Sequence, residues 1–220
     1  MSAKAVNVND IIDRAKFSGF HFQVVAWCLL IILFDGYDLA INGVVLPLLM
    51  EDWGLSAVQA GMLASTALAG MMFGAMIFGS LADKIGRKKV IMICIVLFSG
   101  LTCAGGFASN PTEFAVLRFL AGLGIGGVMP NLVALTSECA PQKMRSTLVT
   151  TMFSGYAVGG VMAALLGAWF TPSFGWQIMF FIAGIPLLLL PVIWKFLPES
   201  LTFIVQQNRQ AEARKIVRRL

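Results

Sequence analysis

The stretch Val24–Leu46, VVAWCLLIILFDGYDLAINGVVL, is apolar except for a short polar insert, with Asp35, Asp38 and Asn42 spaced along its second half. A helix needs about 20 residues to cross the roughly 30 Å hydrocarbon layer of a bilayer, and this run is long enough. Five further windows follow at Ala57–Ala82, Val90–Ala108, Phe114–Thr136, Ser146–Phe170 and Trp176–Leu197. None alternates with the period of two that a membrane strand requires, and each is too long for a soluble strand. The composition agrees: 58% of the 220 residues are hydrophobic and 12% charged, too little polar surface for a soluble domain of this size. The sequence predicts an all-α integral membrane protein, a bundle of six transmembrane helices over residues 24–197. Residues 1–23 read as a cytoplasmic arm, and residues 198–220 as the start of an amphipathic cytoplasmic linker on the inner leaflet.

The net charge of +5 is distributed by topology and does not point to nucleic acid. Lys4, Arg14 and Lys16 lie in the arm, Lys84, Arg87, Lys88 and Lys89 between the second and third windows, and Lys143 and Arg145 between the fourth and fifth; six more follow from Lys195 onward. The three alternate loops, around Glu51–Asp52, Asn110–Glu113 and Thr171–Gly175, carry no lysine or arginine. The positive-inside rule therefore places both termini in the cytoplasm. Trp27 and Trp194 fall at inner ends, and Trp53, Trp169 and Trp176 at outer ends, as an aromatic belt requires. No A-x-A site follows the first apolar run, so no cleaved signal peptide is expected. The basic run after Leu197 reaches Leu220 without a cap or turn, and more chain is expected beyond it.

Cys28, Cys94, Cys103 and Cys139 are spaced neither for zinc nor for a disulfide framework, and read as small packing residues. His21, the only histidine, is expected as a solvated residue at the membrane interface. No metal cluster, nucleophile–base pair or phosphate loop is visible, so neither an enzyme nor a cofactor is expected. Short loops predict that consecutive helices are antiparallel neighbours. Small residues recur at four-residue spacing in Gly70/Gly74, Ala75/Gly79, Gly122/Gly126, Gly155/Gly159 and Ala163/Gly167, a pattern that lets helix backbones approach closely in lipid. Pro130, Pro186 and Pro191 are expected as kinks within the fourth and sixth helices.

Advancing roughly 100° per residue brings Asp35, Asp38 and Asn42 onto one face of the first helix, with both carboxyls near the midplane. A carboxylate facing lipid there would cost several kcal/mol, so the face must look into a protein-lined or watery space. Packing alone could be served by Ser, Thr or Asn at less cost, which favours a functional role. Arg118, the one basic residue in the interior of a window, needs an anion, and Asp38 lies at a compatible depth. Such a pair is a proton switch in principle: protonating the carboxyl frees the guanidinium for an anionic substrate. Thr147, Thr150, Thr151 and Ser154 share one side of the fifth helix, either bonded back to their own helix or lining a wet inner vestibule. In Gly79–Lys89, GSLADKIGRKK, Gly79 would permit close helix approach, and Asp83 would cap a helix N-terminus or pair with Arg87.

These motifs resemble the major facilitator superfamily over the whole chain. Gly79–Lys89 is similar to that superfamily's signature between helices two and three, and RFLAGLGIGG from Arg118 to its helix-four motif. SECAPQKMR, with Glu138 and Arg145, and PES at Pro198–Ser200 resemble inner-end motifs of its sugar and organic-ion branches. DGYD resembles the aromatic acid:proton symporters, which import benzoate and hydroxybenzoates into bacteria. In related symporters the aspartate matching Asp38 pairs with the arginine matching Arg118.

The resemblance implies the N-terminal half of a twelve-helix transporter in the bacterial inner membrane, working by alternating access on a proton gradient. It assigns proton coupling to Asp35, Asp38 and Arg118, and the small aromatic carboxylate to Asn42, Arg118 and Ser154. Gly79, Asp83, Gly86, Arg87, Glu138 and Arg145 would form the inner gate. A C-terminal six-helix half, or a second copy, would complete the molecule and shield the Asp35–Asn42 face from lipid. A sugar or other organic-ion porter, and a six-helix fragment that does not transport, are the alternatives.

Overall fold

The computed structural model describes residues 17–207 and 209, so Lys4, Arg14 and Lys16 of the arm and most of the basic C-terminal run lie outside the described residues. Helices α1 (Gly19–Trp53), α2 (Ala57–Ile85), α3 (Arg87–Gly105), α4 (Pro111–Cys139) and α5 (Arg145–Phe174) match the first five windows. The sixth window is two helices, α6 (Gln177–Ile182) and α7 (Ile185–Phe196), and a short α8 (Leu201–Gln206) follows. Six spans are long and apolar enough to cross a membrane, counting α6 and α7 as one, and no strand occurs among the described residues.

The helix ends are set by local chemistry. Gly54, at φ 60°, closes α1 in the left-handed conformation that glycine adopts without a steric penalty. Ser56 and Gln59 start α2 as a reciprocal capping box: the Gln59 N–H donates to Ser56 Oγ at 3.3 Å, and the Ser56 N–H to Gln59 Oε1 at 2.9 Å. Asn110 Oδ1 accepts from the Glu113 N–H at 2.8 Å, with Pro111 in the first turn of α4. At the start of α1, His21 is buried rather than solvated. Its Nδ1 accepts from the Ser18 N–H at 3.0 Å and its ring stacks on Phe17, so the histidine serves as a cap.

The break in the sixth span has a physical cause. Pro186 has no N–H to continue a helix, and it sits in the first turn of α7 rather than at an internal kink. The Leu187 N–H donates to Gly184 O, which leaves the Ala183 carbonyl free of its usual helical donor. Ser99 Oγ, from α3, donates to that carbonyl at 2.5 Å. Tyr37 Oη, from α1, donates to Met179 O at 3.0 Å, one turn earlier. The Ser99 hydroxyl thus satisfies a carbonyl that the broken helix would otherwise leave unpaired in the membrane, while Tyr37 adds a second bond to Met179 O, which also accepts from the Ala183 N–H at 3.3 Å.

Consecutive helices do touch, yet the closest packing joins non-consecutive ones, α2 with α4 and α1 with α5. Both pairs run parallel, because the contacts rise together in number along each partner. A Cβ on Gly70 would meet Phe119 O, one on Gly74 would meet Leu123 O, and one on Gly126 would meet Met71 O. On the other side Gly155 lies against Leu29, Gly159 against Leu33 and Gly36 against the Tyr156 backbone. Each is far inside van der Waals contact, so a methyl group would force the helices apart. Gly79 is a correction: a Cβ there would meet nothing within 4 Å, so it makes no close approach in this bundle. The stripe that packs on α4 runs on through Phe78, which lies against Gly127, and Gly79 falls beside that stripe rather than on it. As a result α1 and α4 form the interior, with 56% and 61% of their apolar windows buried against 28% for α2, α5 and the sixth span.

Candidate functional site

Asp35 and Asp38 lie near the middle of the 35-residue α1, and both are sealed from the surface at 1% and 0% exposure. Arg118, in the second turn of α4, is equally buried at 1%. Its Nη1 donates to Asp38 Oδ1 at 3.1 Å and Oδ2 at 3.3 Å, and to Thr102 Oγ1 of α3 at 3.0 Å. Nη2 donates to the Asp38 backbone carbonyl at 3.3 Å. The Phe180 ring of α6 faces the guanidinium, with Cζ 5.9 Å from its centroid. A charge so placed has lost its hydration, and only the opposite charge and several hydrogen bonds make that tolerable. Arg118 Nε and Asp35 Oδ1 have no hydrogen-bond partner among the described residues.

The sequence placed Asp38 with Arg118, and the structure brings them together. It corrects the expected shielding: the Asp35–Asp38 face is covered by α3, α4, α5 and α6 of the same bundle and needs no second half to leave lipid. Asn42, one turn beyond Asp38, is only half-buried. Ser154 is exposed and donates to Thr151 O at 2.6 Å, and Thr151 donates to Thr147 O at 2.9 Å. The α5 hydroxyls are therefore bonded back into their own helix. Ser154 and the Asp38–Arg118 pair do not touch.

A second polar group lies at the end of the bundle where α3 begins and α4 ends. Arg87, the first residue of α3, donates to Glu138 Oε1 near the end of α4, and both side chains are about one-fifth exposed (20% and 19%). Ser200 Oγ donates to Glu138 Oε2 at 2.5 Å. Glu199 Oε1 accepts from the backbone N–H groups of Lys88 and Ser200, each at 3.0 Å. Gly86, at φ 98°, turns the chain between α2 and α3, and Glu199 and Phe203 fill the space that a side chain there would need. Asp83 stands apart: it is exposed in the last turn of α2, caps no N-terminus and does not pair with Arg87. Helix α2 continues past it to Ile85, and Glu138 occupies Arg87. Arg145 opens α5 at the same end, half-exposed.

Sequence reasoning missed Thr102, Phe180, Ser99, Tyr37 and Glu199. Ser99 and Thr102 carried a signal, being hydroxyls three residues apart on one face of an apolar helix. Phe180 carried none, since one aromatic in an apolar run looks like any other.

Six membrane-length helices wrapped around a buried ion pair define a polytopic integral membrane protein. The chain belongs to the Major Facilitator Superfamily, whose family model matches residues 28–219. It is 52% identical to the benzoate transport protein of Acinetobacter baylyi, over 99% of this chain and 48% of that protein. It is 42% identical to the gallate transporter of Pseudomonas putida, over 96% of this chain and 47% of that one. Among solved structures it superposes on the xylose transporter XylE from E. coli, in a partially occluded inward-open conformation, with a TM-score of 0.82. That match has 24% identity and covers 91% of this chain and 55% of XylE, so it speaks to the fold alone. The chain spans about half the length of the curated relatives it matches.

Proposed function

We propose that this chain is the N-terminal half of a proton-coupled symporter that imports aromatic carboxylates of the benzoate and hydroxybenzoate type by alternating access. Residues 1–23 are its cytoplasmic arm, 24–197 its helical bundle and 198–220 the start of the linker to a second six-helix half. The protein works in the bacterial inner membrane with both ends of this segment in the cytoplasm, driven by the proton gradient without a cofactor. The names of the benzoate and gallate relatives support the substrate class. The observation that carries the mechanism is the Asp38–Arg118 pair, with its second set of bonds to Thr102 and the Asp38 carbonyl.

When Asp38 takes up a proton it ceases to be an anion, while Arg118 stays charged. Thr102 and the backbone carbonyl still hold the guanidinium in place, but they cannot neutralise it. A substrate carboxylate supplies that charge when the helices around Arg118 part, with Asn42 one turn away as a second polar contact. Ser154 serves the substrate from the exposed face of α5, and Asp35 is the second proton-binding group. Arg87, Glu138, Gly86 and Arg145 hold the inner gate. Asp83 and Gly79, which contact no partner in this bundle, meet the second half.

The test is uptake of labelled benzoate by cells expressing the complete reading frame that contains this chain. Benzoate, 4-hydroxybenzoate and gallate should compete, and hexoses should not. Competition by hexoses alone would assign the protein to the sugar porters instead.

A further inference from the structure

On the outside of the bundle, α3 and α7 leave a groove of about 450 Å³ between them, open along one side. Met92, Ile93 and Val96 form one wall, and Leu190, Pro191 and Trp194 the other. Almost no polar surface lines it. In a membrane such a groove lies against lipid, and its long apolar form suits a hydrocarbon chain.

The end of the groove is charged. Lys88 and Lys89 lie one helical turn before Met92 and Ile93, so the α3 wall runs down onto two ammonium groups. The α7 wall ends on Trp194; Lys195, the next residue, turns away toward Phe196, its Nζ 5.8 Å from that ring's centroid. Lys88 Nζ stands 4.8 Å from the centroid of the Trp194 ring, and Trp194 is 48% exposed. The carboxylate nearest this mouth is Glu199, whose Oε1 is already occupied by the Lys88 and Ser200 N–H groups. Apolar walls that end in two lysines and a tryptophan match one class of molecule from chain to headgroup.

We propose that this groove is a binding site for an anionic phospholipid, with an acyl chain between α3 and α7 and the phosphate at Lys88 and Lys89. Basic pockets at the ends of membrane helices select anionic headgroups in this way, while tryptophan suits the headgroup level. The site is separate from Asp38 and Arg118, so it does not depend on the substrate proposed above. By packing α7 against α3 beside Arg87, a bound lipid would steady the inner end of the bundle.

Trp194 provides the reporter. The purified chain is placed in phosphatidylcholine vesicles containing increasing fractions of dibrominated phosphatidylglycerol or dibrominated phosphatidylcholine, and tryptophan quenching is read with and without the Trp194→Phe substitution. The Trp194 component should half-saturate at a fraction of brominated phosphatidylglycerol about fivefold lower than of brominated phosphatidylcholine. The double change K88Q and K89Q should remove that preference, and K195Q should not, with helicity unchanged by circular dichroism in both. Equal half-saturation of the two lipids in the unaltered chain would overturn the proposal and leave only ordinary boundary lipid. So would a Trp194 that neither lipid quenches and that crosslinks to a second copy, since the groove would then be a protein interface.

Discussion

The bundle holds two ion pairs that look alike on paper and sit in opposite surroundings. Asp38–Arg118 is enclosed by α1, α3, α4 and α6 with 1% or less of either side chain exposed, whereas Arg87–Glu138, where α3 begins and α4 ends, keeps about 20% exposure on both sides. In the first, neither charge has water to fall back on. In the second, water can replace a lost partner, and Ser200 already shares the load on Glu138. Burial therefore makes the loss of one partner far costlier in the Asp38 pair, while the Arg87 pair is a fastening that loosens by degrees.

The largest effect should come from breaking the buried pair on one side. Arg118→Leu strands a carboxylate in the interior, and the loss should be about 3–5 kcal/mol. In detergent this appears as a large fall in the thermal midpoint of the purified chain, most of it recovered when Asp38→Leu is added. A single substitution that left the midpoint unmoved would mean that the pair is not formed in solution.

Next comes backbone contact between helices. Gly126→Val drives a branched side chain into the Met71 carbonyl and should cost about 1–3 kcal/mol or more, because a whole helix must shift. Gly79→Ala, at the same small-residue spacing but facing open space, should change stability by less than about 0.5 kcal/mol in this chain. Paired melts of the two variants measure the difference directly.

Smaller again is the Arg87–Glu138 pair. Glu138→Gln keeps the shape and removes the charge, and should cost about 1 kcal/mol, reduced further in high salt. A cost equal to that of Arg118→Leu would erase the distinction between the two pairs.

Much of this was legible in the sequence, for reasons that differ by residue. The helices were readable because windows such as Ala57–Ala82 are long and uniformly apolar, and the bilayer allows few alternatives. Asp38 and Arg118 were readable because charges in hydrocarbon must find each other. Gly70, Gly74, Gly122 and Gly126 announced close packing, but spacing could not say that the partner of α2 is α4 rather than a neighbour in sequence. The same limit explains Gly79, which fits the spacing and lies beside the packed face that runs through Gly70, Gly74 and Phe78. The split of the sixth span was half visible: Pro186 marked the place, while Ser99 became relevant only once folding brought it to the freed Ala183 carbonyl. His21 misled because its position before the first apolar run suggested water, whereas Phe17, Phe20 and Ser18 enclose it.

The buried pair matters most if Asp38 is where the proton binds. Asp38→Asn in the complete transporter keeps a hydrogen-bonding side chain beside Arg118 but cannot take up or release a proton. In proteoliposomes with an imposed inward proton gradient, labelled benzoate should no longer accumulate, while exchange of labelled for unlabelled benzoate across the same membrane continues. Uphill accumulation at the unaltered rate would contradict the assignment and place proton coupling elsewhere in the protein.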